Sequence, residues 1–136
     1  MIRTAWFVLL IVVVCGCGKQ TSYVPDVPVS YNTLLSDPAL VNLNSSSKGV
    51  IINGYGVSGL VLYKSINRGI VAYDRCSTVN PEARCAVNLD DAFTVTDPCS
   101  GAKFLLEDGS PAKAPAVIAL KEYSVLISGN TIRVAN

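Results

Sequence analysis

The chain has 136 residues, half of them hydrophobic, with 11 basic and 10 acidic side chains and no histidine. That length bounds one modest domain, and a near-neutral balance without a clustered Lys/Arg run excludes a nucleic-acid surface, whose phosphate contacts demand one. The lack of histidine removes the commonest general base and the commonest imidazole ligand together, so the chain is expected not to be an enzyme.

In chain order, the first element is the apolar run Trp6 to Val14 behind Arg3, closing in Cys15-Gly16-Cys17. It has the length of a signal-peptide core and is too short to cross a bilayer. Gly16 is the small residue expected just before a lipid-modified cysteine and Val14 the aliphatic one two places further back, which puts lipidation at Cys17. Cys15 is the poorer site, because bulky Val14 would precede it. Residues 1–16 are thus expected to be a lipoprotein signal, leaving a chain held to the membrane by more than one acyl chain. With Arg3 removed, ten basic side chains face ten acidic ones. Gly18 rather than aspartate follows Cys17, and there is no acidic export run. The expected location is therefore the outer membrane, facing the periplasm, with the cell surface as the alternative.

Residues 17–37 carry Pro25 and Pro28 without apolar periodicity and are expected to be a tether, leaving 38–136 as the folded domain. The runs Val50-Ile51-Ile52, Leu60 to Tyr63 and Gly69 to Tyr73 are rich in β-formers and separated by turn residues, so they read as strands. The last two form a hairpin around Ser65 to Arg68. Gly54 to Gly59 contains a Gly-x-Gly-x-x-Gly match without a βαβ context and reads as a turn. Asp90-Asp91 reads as a solvated turn and Glu107 to Pro111 as another. Ala116 to Ile127 is expected to be one long strand, turning at Gly129-Asn130 into Thr131 to Val134. Tyr55, Tyr63, Tyr73 and Tyr123 are expected to pack strand faces with their hydroxyls at the rim, and Phe104 to be core. The fold class is all-β, a small sandwich or partly open barrel.

Beyond Cys17, three cysteines remain, Cys76, Cys85 and Cys99. An envelope protein sits where disulfides persist, so one bridge and one odd thiol are expected, with the pairing open.

The stretch Ala72-Tyr73-Asp74-Arg75-Cys76, then Asp97-Pro98-Cys99-Ser100-Gly101-Ala102-Lys103-Phe104, then Asp108-Gly109-Ser110, Ala114-Pro115-Ala116, Leu120 and Tyr123, resembles a Rieske-type domain over about Val50 to Asn136. The resemblance implies a small β-fold with a two-loop subdomain at about residues 75–104. A Rieske [2Fe-2S] centre needs two cysteines and two histidines. By position Cys76 matches the first cysteine, whereas Thr78, Asp97 and Ser100 stand where the first histidine, second cysteine and second histidine belong. The chain is similar to the cluster-less Rieske-like lipoproteins of Bacteroidetes-type bacteria, which implies no bound cofactor and a structural cysteine pair. Within that resemblance Cys99 sits at the bridging place of the second loop. Cys85, after the insertion Val79 to Arg84, is its expected partner, with Cys76 as the alternative.

Other uses of these groups are a [2Fe-2S] or redox module, or a zinc site from Cys76, Cys85, Cys99 and Asp97, although structural zinc favours Cys₄ or Cys/His sets. Ser100-Gly101 lacks a nucleophile elbow and reads as a tight loop. The expected partners are the membrane, through the lipid, and a protein of an outer-membrane complex. The sequence identifies no small-molecule ligand.

Overall fold

The computed structural model describes residues 23–45, 48–90 and 93–136. The expected signal, Cys15 and the expected lipidation site Cys17 lie outside these residues.

Among the described residues there are two antiparallel sheets. β1 (Ser30–Leu34), β2 (Gly49–Ile52), β3 (Leu60–Ser65), β4 (Gly69–Asp74), β9 (Glu122–Ser128) and β10 (Thr131–Ala135) form a base sheet in the order β1-β10-β9-β4-β3-β2. β5 (Asn88–Leu89), β6 (Thr94–Thr96), β7 (Lys103–Leu105) and β8 (Pro111–Lys113) form a tip sheet inserted between β4 and β9. β4 and β9 pair only at Ala72 with Tyr123 and Tyr73 with Glu122. The base sheet is therefore a half-open barrel whose two halves meet at that short seam.

The β3–β4 hairpin shows why these residues form strands. Its side chains alternate between two apolar layers: Leu60, Leu62 and Ala72 enter the core inside the base, while Val61, Tyr63, Val71 and Tyr73 enter the core beneath the tip. A strand buried on both faces reads as an unbroken apolar run, as this one does. Each fully buried side chain of this size contributes on the order of 1.5–3 kcal/mol. The turn falls where expected, with Ser65 opposite Gly69.

Several expectations are corrected. Part of the expected tether 17–37 is folded, because Ser30–Leu34 is β1, paired with β10, and Val29 and Tyr31 are buried. The long strand starts only at Glu122, since Ala116 to Lys121 forms a loop. The tip continues past residue 104 through β8. Asp90 is not a loose turn residue: its carboxylate accepts from Thr94 (2.8 Å), Thr96 (2.6 Å) and Lys103 (2.7 Å). Its neighbour Asp91 lies outside the described residues. Tyr63 and Tyr73 pack strand faces as expected, but their hydroxyls are buried without a hydrogen-bond partner rather than held at the rim. Phe104 is fully buried.

Candidate functional site

Two loops, one leaving β4 of the base and the other joining β6 to β7 of the tip, both begin with Asp-x-Cys. In each the aspartate carboxylate accepts the N–H of the cysteine two residues on, Cys76 to Asp74 and Cys99 to Asp97, both at 2.8 Å. Such a turn suits a short acceptor side chain that folds back on its own backbone.

Asp74, fully buried at the end of β4, also accepts from the N–H groups of Val57 (2.7 Å) and Ser58 (3.2 Å) and from the Tyr123 hydroxyl (2.8 Å). The glycine-rich turn is thus a cradle for a carboxylate. Gly56 sits at φ 65, and a Cβ there would strike Asp74. Burial, reinforced by the Asp74 charge, pushes the Tyr123 phenol well above its ordinary range.

The first loop doubles back through a 3-10 turn at Pro81–Ala83, bracketed by Asn80 and Arg84 at positive φ. Ser77 then donates its N–H to the Cys85 carbonyl (2.8 Å), and Cys76 pairs with Ala86. This return sets Cys85 beside the second loop, where a disulfide joins it to Cys99 with a Cα–Cα distance of 6.4 Å. Cys76 is left as a buried free thiol. Its Sγ lies 3.7 Å from the Ser77 carbonyl and 3.6 Å from that of Pro81. Burial, then the charge of Asp74, pushes this thiol above its ordinary value, which disfavours the reactive thiolate.

Asp97 is the junction of the two loops. It is fully buried, and its carboxylate accepts from the hydroxyls of Ser77 (2.7 Å) and Ser100 (2.6 Å) and from the N–H groups of Cys99 (2.8 Å) and Ser100 (3.4 Å). Burial alone would raise its pKa, but these donors outweigh it and hold the carboxyl below its ordinary 3.8. So weak a base does not activate the Ser100 hydroxyl. Gly101, at φ 77, closes the loop behind it.

Of the positions singled out in the sequence, Asp97 and Ser100 come together, Cys85 joins Cys99, and Cys76 points elsewhere. Thr78 does not face Asp97; its hydroxyl donates to the Ile118 carbonyl at 2.6 Å. Ser77, not Thr78, is the first-loop partner of Asp97. The Cys85 and Cys99 sulfurs and an Asp97 oxygen lie within 4.8 Å of one another, a trio that omits Cys76. Sequence reasoning missed Ser77 and the role of Asp74. The signal that could have found Asp74 was present: the repeated Asp-x-Cys spelling of the two loops.

Against solved structures, the chain is similar to the cyanobacterial plasma membrane Rieske protein PetC3 from Synechocystis PCC 6803. The TM-score is 0.56 at 27% identity, over 80% of this chain and 98% of that one. The fold is Rieske-like. A chain of the complex of reduced oxygenase and oxidized ferredoxin in carbazole 1,9a-dioxygenase has the same fold, with a TM-score of 0.51 at 20% identity over 75% of this chain and 96% of that one. No protein-family model and no curated protein matches the chain.

Proposed function

We propose that this chain is a non-enzymatic, lipid-anchored outer-membrane protein of the Bacteroidetes-type cluster-less group. Its Rieske-like fold would serve as an interaction subunit of a cell-envelope complex. One observation carries the cluster-less reading. Where a Rieske-type fold implies a [2Fe-2S] group between two loops, Asp97 here accepts hydrogen bonds from both loops.

The remaining donors do not fit such a group either. Two thiols are consumed by the Cys85–Cys99 bridge, the Cys76 thiol is turned to backbone carbonyls, and the Thr78 hydroxyl is committed to Ile118. A thiolate zinc site fails on the same residues, since bridged sulfurs are not thiolates. What replaces the cofactor as the tie between the loops is a disulfide plus a carboxylate.

A second reading, an electron-transfer module, is favoured by the likeness to a Rieske protein over 80% of the chain. Protein purified from membranes without added metal decides between them. The proposal expects no visible cluster absorbance, no stoichiometric iron or zinc, one bridge in non-reducing peptide mapping, and a stoichiometric protein partner retained in mild detergent. A paramagnetic centre appearing on reduction would sink it. A protein that elutes alone would remove the subunit role.

A further inference from the structure

The anchored part of the chain begins sooner than the sequence implies. Val24 is buried, Lys121 pairs with Asp26 at 2.7 Å, and Asn136 bonds Val27 (2.8 Å) and Val29 (2.9 Å). Only residues 18–22 separate Cys17 from Tyr23, a span of at most roughly 22 Å at full extension. A domain of about 100 residues has a radius of gyration of about 13 Å, so its far side cannot reach a surface to which Cys17 is fixed.

The face where the chain emerges is apolar. Tyr23 (75% exposed) and Ile118 (46%) stand out from it, and Val117 (82%) precedes Ile118 in the same loop. Tyr23 and Ile118, with Val24, Thr78, Ala119 and the stem of Lys121, line a shallow, largely apolar cavity of about 290 Å³. Val117 and Ile118 belong to the loop that the Thr78 hydroxyl holds in place. The apolar run that suggested a strand there is a loop, with Val117 and Ile118 exposed.

We propose that this patch docks on the phospholipid bilayer. Tyr23, Val117 and Ile118 would rest in the boundary between headgroups and acyl chains, so that the domain lies on the membrane instead of being lifted from it. The inference rests on Cys17 being the lipidated residue. A short tether holds the patch at high effective concentration against the lipid, which lets a small apolar contact suffice.

Trp6 is the only tryptophan, which makes a direct test simple. The full chain carrying either Val117→Trp or Ile66→Trp is expressed with bacterial lipoprotein processing, which removes Trp6 with residues 1–16. It is then reconstituted into phosphatidylethanolamine–phosphatidylglycerol vesicles with brominated acyl chains. Both positions are exposed, and Ile66 lies in the β3–β4 turn, at the opposite end of that hairpin from Asp74. The expected result is a blue-shifted Val117→Trp emission quenched several-fold more strongly than Ile66→Trp, and unchanged at high salt. Equal quenching at both positions, or loss of quenching in salt, would overturn the proposal. A blue shift already present in detergent and dependent on protein concentration would assign the patch to a second copy and also overturn it. Mass spectrometry of the same sample reads the lipid on Cys17 separately, so a missing anchor is told apart from a patch that avoids lipid.

Discussion

The loop that starts at Asp74 and the loop that starts at Asp97 share a local turn and differ in everything beyond it. Asp74 binds downward, to the glycine-rich turn and to Tyr123 of β9, and its cysteine stays a free thiol. Asp97 binds sideways, to Ser77 of the other loop, and its cysteine is bridged to Cys85. The first therefore closes the base, where strands of four to seven residues and an apolar core already supply cohesion. The second closes the tip, whose strands have only two or three residues. Where the backbone ladder is short, covalent and charge-assisted bonds take over the work of holding loops together.

The disulfide offers the strongest way to break this contrast. Replacing Cys85 and Cys99 by serine should cost about 3 kcal/mol, for a bridge closing a loop of roughly this length. The loss should concentrate in the tip: the amides of Gly101 and Ala102 should exchange faster, while those of Val61 and Leu62 keep their protection. Uniform loosening of both sheets would show that tip and base are one cooperative unit.

Asp97→Asn comes next, at about 2–3 kcal/mol, because two hydroxyls and two N–H groups lose an ionised, buried acceptor. The pH dependence has a definite sign. The folded-state pKa lies below 3.8, so the contribution is fully present above that value and is lost as pH falls through the folded pKa. Wild type should accordingly lose its advantage over Asp97→Asn in acid, read from paired denaturant titrations between neutral and about pH 2. A constant gap across that range would mean that the carboxylate charge is not what ties the loops.

Tyr123→Phe sharpens the base side of the comparison. It removes one donor from Asp74 but leaves three N–H groups and the ring packing, so about 1–1.5 kcal/mol is expected by thermal or urea unfolding. A loss matching that of Asp97→Asn would mean the base depends on its polar knot as much as the tip does. The smallest effect belongs to Arg68→Ala. Its pair with Glu122 is exposed on both sides, at 42% and 38%, so its loss should leave the urea midpoint almost unmoved, and less moved still in high salt.

The hairpin β3–β4 and the turn at Gly129-Asn130 were legible because both partners of each pair are close in the chain and the turn residues stand between them. The all-β class followed from the same local signals. β1 was not legible: Ser30–Leu34 has no strong pattern of its own and is a strand only because β10 lies beside it. Val117 and Ile118 misled in the opposite sense, since an apolar run says nothing about which side of the molecule it will face. At the site, the structure brings Asp97 and Ser100 together and joins Cys85 to Cys99, while Cys76 and Thr78 turn elsewhere. Ser77 went unseen and Thr78 was named because matching to a metal site counts residues, whereas the folded loop turns Ser77 to Asp97 and Thr78 to Ile118.

The sequence alone determined the strands β3 and β4, the hairpin turns and the lack of imidazole, since each depends on residue type and near neighbours. Only the tertiary structure decided that Ser77 meets Asp97, that Cys85 rather than Cys76 meets Cys99, and that β1 closes on β10. These depend on where a returning loop or a distant strand arrives in space, and that is set by chain closure over tens of residues rather than by any local preference.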